Sequence, residues 1–433
     1  MKKYSQVVFL FLGIAAIVSF GCKKDEDKNT PPPSDKPFEN IAVPDDFLWV
    51  TSKNLKIDLL IKDNQNHPVQ TDFEVYNQYP GGTLLFQAST NQNGVFLKKY
   101  KIASAQNKVV VVIPNNDAVE VMFADTLIRG YDAFVARKTI TLANQGFKSV
   151  REEVYSYYPA QGKYGTLCFE DYWPSSGDYD FNDAVLDYNV VAVGDDANPG
   201  YVDRIEMTIY VRAKGASYKN GFGISFRQHW SFQGPYPDIA SVTVNGADIP
   251  AENTVYPSYL LIPNLSDVLP YFNTKPTQGF SQPVRFDVVI VFAEPQDEWN
   301  LELPLQNPFL IVNQDRGKEI HRPYDLPTSL ANPDYAHTED DFTDPEAFNP
   351  ENFKMMVGYT TYVTEYYFPW VIDVYDASTE QLFAYPAENE DLSQTYSSFE
   401  GWIIYWDPMD WYLPEYADNA KTYPFVPDMY QGK

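Results

Sequence analysis

The densest group of chemically active side chains lies in an acidic segment, residues 170–183. It contains five acids and one amide, namely Glu170, Asp171, Asp178, Asp180, Asn182 and Asp183. Asp178, Asp180 and Asn182 alternate as the first side-chain ligands of a calcium loop do, and Ca²⁺ prefers oxygen ligands. The spacing predicts a Ca²⁺ site formed by these six residues. The alternative is an acidic turn that only begins a strand, although five carboxylates so close together would repel one another without a cation.

The acidic segment is not an EF-hand. Asp183 occupies the sixth position, which is glycine in an EF-hand, and a strand-like run follows in place of a helix. If residues 183–191 are extended, Asp183 and Asp187 share one face but lie about 13 Å apart, too far to bind one ion. We therefore expect Asp187 to serve a second ion or an arginine.

The remaining acids can be assigned from the same geometry. Asp178, Asp180 and Asp183 are expected at the ion. Glu170 and Asp171 follow the apolar run 165–169, which resembles a strand, and would reach across from its end.

A second charged group lies downstream and consists of Asp315, Arg316, Glu319, His321 and Arg322. These residues could bind an anion or act as acid and base. Opposite charges this close in sequence more often pair on the surface. We therefore predict a surface ion-pair network.

Cysteine and histidine offer little further chemistry. Cys168 lies within an apolar run and is predicted to be a buried small hydrophobe. The four histidines, His67, His229, His321 and His337, are too scattered for a zinc signature. No catalytic residue and no organic cofactor is predicted.

The C-terminal region, residues 359–412, is rich in aromatic side chains, including Trp370, Trp402, Trp406 and Trp411. These rings could stack on sugars. Because they alternate with aliphatic residues that must also be buried, an aromatic core is the favoured interpretation. No motif singles out two acids at the spacing of a glycosidase pair.

Composition limits the class of protein that holds these groups. The chain has 433 residues, is 44% hydrophobic and 16% aromatic, and carries a formal net charge of −27. It is too apolar to be an unfolded polyanion, and its negative field excludes binding to nucleic acid.

The N-terminus has the features of a bacterial lipoprotein signal. Lys2 and Lys3 precede an apolar run, residues 7–20, which is shorter than the roughly 20 residues that span a bilayer. Gly21 and Cys22 follow, although Ser19 stands where leucine is usual. We predict a signal peptide over residues 1–21 and acylation of Cys22, which would anchor the protein to outer-membrane lipid. The alternative is an ordinary secreted protein cut nearby.

The rest of the chain predicts an all-β protein behind a tether. Residues 22–45 are polar and proline-rich, which indicates a disordered tether. Acids just after Cys22 resemble the surface-export signal of Bacteroidetes lipoproteins. Period-two alternation predicts an immunoglobulin-like or transthyretin-like β-sandwich over 46–145 and a larger, jelly-roll-like β-sandwich over 160–433. Short helices are expected only near residues 346–356 and 398–406.

The acidic segment also carries a family resemblance. Residues 169–183 resemble the motif of the LruC-domain family of bacterial envelope lipoproteins, in which aromatic-Glu-Asp precedes Gly-Asp-Tyr-Asp-aromatic-Asn-Asp. Further matches follow in order at residues 219–224, 292–295, 307–313, 316–321, 323–328, 368–373 and 402–412. This chain departs at Lys318, where arginine is expected, and has no acidic glycine loop before Tyr359. The resemblance covers about residues 165–433 and implies an envelope location and a β fold more than an activity.

Together these features predict a calcium-binding, non-enzymatic lipoprotein, displayed on the outer membrane, with a binding, adhesion or envelope role. Its partner would be an unknown extracellular protein or glycan. The alternative is a glycan-binding or glycan-cleaving surface protein that uses the C-terminal aromatic residues and a carboxylate pair.

Overall fold

The structure is a computed structural model that describes residues 34–44, 47–123, 134–146, 148–149, 153–215, 217–226, 236–253, 256–301, 303–348, 360–376 and 381–424. The predicted signal peptide and Cys22 lie outside these residues, as do most of the tether and the end of the short helix predicted at 346–356.

Strands dominate the described part of the chain, as predicted. They are β1 (Ser52–Lys62), β2 (Asp72–Tyr76), β3 (Leu84–Ser89), β4 (Val95–Ala103), β5 (Lys108–Val112), β6 (Val119–Met122), β7 (Phe134–Thr141), β8 (Val154–Tyr158), β9 (Gly165–Phe169), β10 (Ala184–Gly194), β11 (Tyr201–Ala213), β12 (Gly221–Ser225), β13 (Ile239–Val244), β14 (Ala247–Asp248), β15 (Ser258–Ile262), β16 (Val284–Asp297), β17 (Pro308–Ile311), β18 (Glu319–His321) and β19 (Val371–Val374).

Helices are short. The described residues form two α-helices, α1 (Leu392–Thr395) and α2 (Phe399–Tyr405), and α2 confirms the helix predicted at 398–406. The 3₁₀ turns are Pro37–Asn40, Leu265–Asp267, Glu298–Asn300, Val312–Gln314, Pro333–Tyr335, Pro345–Phe348 and Pro414–Tyr416.

The strands form three sheets with a sandwich-like arrangement. In the first sheet β1 lies between antiparallel β4 and parallel β7. The second runs in the order β14-β13-β16-β11-β10-β8-β3-β2-β5-β6, and β9 pairs with both β10 and β19. The third has the order β15-β12-β17-β18. The predicted boundary between 145 and 160 falls inside the second sheet, where β3 meets β8 through the pair Phe86 and Ser156.

Burial explains the hydrophobic sequence patterns of β1 and β10. In β1 every second residue, from Leu55 to Ile61, is buried against the main core, so its alternating sequence has one buried face. In β10 all residues but Val191 are buried, because the strand is covered on both faces. This accounts for its nearly continuous apolar sequence.

A second, aromatic cluster joins the two ends of the described chain. Its rings come from Phe38, Phe47, Trp49, Tyr179, Phe181, Phe368, Phe399, Trp402 and Trp411. Phe38 is fully buried and stacks on Tyr179 with 4.4 Å between ring centroids. The prediction of a disordered tether is therefore wrong for residues 34–44. The sequence there is polar and proline-rich, but it contains one aromatic residue, Phe38, that packs into a cluster of residues distant in sequence.

Candidate metal centre

The acidic segment is the connection between two antiparallel strands. β9 ends at Phe169 and β10 begins at Ala184, and these two residues are paired across the strands. The backbone N–H of Asp183 donates to the carbonyl of Phe169 at 3.1 Å, which closes the base of the loop. As a result, Glu170 at the end of one strand lies beside the acids that precede the next.

Alternating side chains fix this loop to the aromatic cluster. Tyr179 and Phe181 are buried there, and both have left-handed backbone angles, with φ of 62° and 50°. Bulky residues rarely adopt this conformation, so the packed rings must hold it in place.

The structure brings together three of the predicted ligands. One carboxylate oxygen each from Glu170, Asp178 and Asp180 lies within 4.8 Å of the other two. Glu170 is 1% exposed and Asp180 is 2% exposed, whereas Asp178 is exposed. The group therefore has a buried floor and an entrance at Asp178.

Hydrogen bonds orient the two buried carboxylates but leave one oxygen unpaired. Oε1 of Glu170 accepts from the backbone N–H of Phe181 at 2.7 Å. The two oxygens of Asp180 accept from the N–H groups of Asn182, at 3.2 Å, and Asn389, at 2.8 Å. Oε2 of Glu170 is buried and has no hydrogen-bond partner among the described residues. A buried carboxylate oxygen without a donor is costly to ionise.

The pKa values of these carboxyl groups reflect their burial and mutual repulsion. Burial raises the pKa of Glu170 well above its usual range, and the negative charges of Asp180, Asp183 and Asp178 raise this pKa further. Burial, and then the neighbouring Asp178, likewise raise the pKa of Asp180. A divalent cation would relieve both causes, because it replaces lost hydration and neutralises the mutual repulsion.

The other predicted ligands lie beside the three-carboxylate group and support the loop. The N–H of Asp171 donates to Oδ2 of Asp183 at 2.9 Å, and Asn220 donates to Asp171 at 2.7 Å. Asn182 donates through Nδ2 to the carbonyl of Pro386 at 3.2 Å. Burial raises the pKa of both Asp171 and Asp183.

Three residues near the group were missed by the sequence analysis. Lys36 donates to the carbonyl of Gly177 at 2.8 Å. Its charge lowers the pKa of Asp178, which partial desolvation of the carboxylate and the charge of Glu388 otherwise raise. Glu388 and Asn389 approach from the far end of the chain. The acidic run at 388–391 was the available signal for Glu388, but nothing local links it to the loop.

Comparison with known proteins finds one family match, which covers residues after the acidic loop. Residues 200–408 match a family described as a domain of unknown function, DUF4842. The match begins after the acidic loop, so it includes Asn220 and Glu388 but none of the clustered carboxylates. No curated protein matches the chain.

One solved structure supports the fold. The crystal structure of a candidate lipoprotein from Bacteroides ovatus aligns with a TM-score of 0.56 at 16% identity, covering 82% of this chain and all of that one. The major pilin subunit of Bacillus cereus aligns at 10% identity over 62% of this chain and 67% of its own. Its TM-score of 0.14 is too low to carry any argument.

Asp187 pairs with an arginine, one of the two expected outcomes. Nη1 of Arg212 lies 3.0 Å from Oδ1 of Asp187, and both side chains are buried. Thr166 also donates to Asp187 at 2.7 Å, and Arg212 donates to the carbonyl of Phe383. Asp187 is therefore part of an internal ion pair.

The charged group near residue 320 is paired but is not on the surface. Glu319 and His321 are fully buried, 2.9 Å apart, and Arg316 joins Glu319 to Glu252. The prediction of a surface network is wrong. Although β18 is the edge strand of the third sheet, β17 on one side and residues around Thr328 cover Glu319 and His321.

The aromatic tail forms a core, as favoured from the sequence. Trp370, Trp402 and Trp411 are each at most 1% exposed, whereas Trp406 is 39% exposed. Cys168 is buried, as predicted. The part of the chain that the structure describes has no helix with the length and apolar character needed to cross a bilayer.

Proposed function

We propose that the acidic loop binds a calcium ion and that this ion stabilises a non-enzymatic, lipid-anchored protein of the cell surface. The observation that carries the proposal is the buried, unpaired Oε2 of Glu170, which belongs to the same group as the carboxylates of Asp178 and Asp180. A second observation supports it, since loss of solvent and the negative charges of neighbouring acids, Glu388 in the case of Asp178, raise the pKa of each of these acids.

The ligand chemistry favours calcium over other divalent metals. The group offers only oxygen atoms and no histidine or cysteine, which disfavours zinc. Mg²⁺ retains several waters and demands a regular octahedron, whereas Ca²⁺ accepts irregular sets of carboxylate and carbonyl oxygens. Water can complete the coordination through the entrance at Asp178.

Thermal unfolding with and without calcium tests the ion. A ligand that binds only the native state stabilises it by about 2.7 kcal/mol at a hundredfold excess over Kd. We expect the Tm to rise with calcium and to saturate. The double variant Asp178→Ala/Asp180→Ala should lose that rise. Asp117→Ala/Asp248→Ala, which removes the same charge at exposed positions, should keep it. Equal calcium responses of the two double variants would refute the site.

The membrane anchor rests on different evidence. Cys22 follows a short apolar run and Gly21, and the fold is shared with a candidate lipoprotein from Bacteroides ovatus. We expect Cys22→Ala to move the protein from the membrane fraction to the soluble one, and surface protease to digest the wild-type protein on intact cells. Continued membrane association of Cys22→Ala would contradict the anchor, and protection from protease would contradict surface display.

Two finer assignments belong to the same proposal. The ordered motifs between residues 169 and 412 support a place in the LruC-domain family, and they overlap the range that matches DUF4842. We further propose that the strands up to β7 form an immunoglobulin-like or transthyretin-like spacer. The second sheet continues through them, so cleavage between residues 145 and 160 tests whether they remain folded alone.

A further inference from the structure

A cavity of about 370 Å³ lies far along the second sheet from the candidate metal centre. It is bordered by the end of β3, the start of β4, the start of β8 and the hairpin between β10 and β11. Its volume is within the range of small-molecule sites, about 300–1,000 Å³. The exposed residues Leu97 and Tyr201 lie in its wall, so the cavity opens to solvent and a ligand can enter it.

The charged groups in its wall are already neutralised. Lys98 and Glu298 form an ion pair with side chains only 11% and 7% exposed, and Tyr158 donates to Glu298 at 2.9 Å. Lys148 lies 3.5 Å from Asp196. An ionic ligand would have to break one of these pairs, which leaves a partly buried charge without its partner. The cavity therefore disfavours charged ligands.

One carboxylate in the wall can accept another hydrogen bond. The hydroxyl of Ser89 lies 2.7 Å from Oδ1 of Asp72 and also 2.7 Å from Oδ1 of Asp196. A serine hydroxyl has one proton and can donate to only one of them. Asp72 also accepts two hydrogen bonds from Ser149. Asp196 is thus the carboxylate with room for an added donor such as a ligand hydroxyl.

The rim supplies the complementary features. Tyr201 is 41% exposed, and Leu97 is also exposed, so both stand at the mouth. Gln87 and Asn91 also line the cavity. Nε2 of Gln87 already donates to Glu74, and Oδ1 of Asn91 already accepts from the N–H groups of Asn93 and Val95. The Gln87 carbonyl and the Asn91 NH₂ group are therefore the amide atoms that a ligand would use. An exposed aromatic ring beside planar amides and carboxylates matches the alternating apolar faces and hydroxyl edges of a sugar.

We propose that this cavity binds a neutral saccharide of one or two rings. The sugar hydroxyls would donate to Asp196 and to the Gln87 carbonyl and would accept from the NH₂ group of Asn91, while one ring face packs on Tyr201. This site is distinct from the C-terminal aromatic residues, most of which are buried, and does not depend on calcium.

Titration calorimetry on the whole chain in detergent tests the proposal. The probes are glucose, galactose, mannose, N-acetylglucosamine, maltose and lactose, with glucosamine and glucuronic acid as charged comparators. We expect at least one neutral sugar to bind with a dissociation constant below tens of millimolar, and more tightly than either charged one. Absence of binding by every neutral probe, or tighter binding of a charged one, would overturn the assignment.

Two rim variants locate the binding. Tyr201→Ala should weaken binding roughly tenfold through lost ring contact, and Leu97→Trp should block the mouth. Tyr271→Ala removes a similarly exposed tyrosine outside the cavity lining and should have no effect. Because both rim positions are exposed, neither substitution should change the Tm. The Tm is measured to check that each variant is folded. Wild-type affinity in Tyr201→Ala and Leu97→Trp would show that the sugar binds elsewhere and would reject the cavity as the site.

Discussion

The carboxylate of Glu170 occupies the space in which a Cβ atom on Gly177 would stand. Gly177 lies in the acidic loop opposite the end of β9, and its missing side chain lets the buried acid approach the loop backbone. Gly177 does not have a left-handed backbone angle, so its conformational freedom is not what the position requires. Glycine is needed here because a side chain would occupy the space of the Glu170 carboxylate.

Replacing Gly177 with alanine should therefore displace Glu170 from the group. We expect Gly177→Ala to weaken calcium binding at least tenfold, about 1.4 kcal/mol. The variant should lower the Tm much less in chelator than in calcium. Calorimetric titration with calcium measures the affinity. An affinity like that of the wild type would mean that Glu170 is not a ligand.

The raised pKa of Glu170 predicts how stability depends on pH. Its folded-state pKa lies above the unfolded value, so the protonated form favours folding, and this contribution is lost as pH rises above the usual glutamate range. Glu170→Gln mimics the protonated acid. In metal-free buffer at pH 7 it should be more stable than the wild type by about 1–3 kcal/mol, and the difference should vanish near pH 4.

Calcium should reverse that order. With the ion bound, Glu170→Gln lacks a ligand and should unfold at lower temperature than the wild type. Glu415→Gln, at an exposed position, should show neither effect. A Glu170→Gln variant that is destabilised equally with and without calcium would point to a purely structural role.

Lys36 places a positive charge beside the proposed ion site. Its charge already lowers the pKa of Asp178, so it must also repel an incoming cation. We expect Lys36→Gln to raise calcium affinity about two- to fivefold at low ionic strength, with the gain shrinking in 0.5 M salt because exposed charges are screened. Lys138→Gln, an exposed lysine on β7, is the control. Weaker binding by Lys36→Gln would show that its hydrogen bond to Gly177 matters more than its charge.

The ion pair between Asp187 and Arg212 should contribute to stability without calcium. Removing one member leaves the other charge buried, so Arg212→Met should cost about 3–5 kcal/mol. The exposed pair of Arg285 and Asp287 offers a comparison, and Asp287→Asn should cost at most about 1 kcal/mol. Urea unfolding of both variants in chelator measures the difference. Similar small costs would argue that Asp187 is reached by water when Arg212 is lost.

Local patterns predicted what lies near in sequence. The run after Asp183 forms β10, the apolar spacing around Trp402 forms α2, and Cys168 is buried. The clustering of Glu170 with Asp178 and Asp180 could also be predicted, because the loop that follows β9 leads back into the neighbouring strand β10. In each case the residues that decide the structure lie within one hairpin or one helix.

Long-range partners could not be predicted in this way. Asn389 donates to Asp180 from 209 residues away, and Phe38 packs on Tyr179 from within a segment rich in proline. His321 looked like a surface residue because Tyr362, whose ring packs against it, is remote in sequence. Such contacts depend on which strands become neighbours, and hydrophobic alternation does not specify that order.

The docking of Phe38 determines how mechanical force would enter the molecule. The chain reaches the aromatic cluster at Phe38 before it enters any strand, and Lys36 is held at the acidic loop. Tension applied from the N-terminal side would therefore load the contacts of Lys36 and then Phe38 before it reached β1. The sheets would stay unstrained until those contacts gave way, so the aromatic cluster would act as a clamp between the N-terminal segment and the strands.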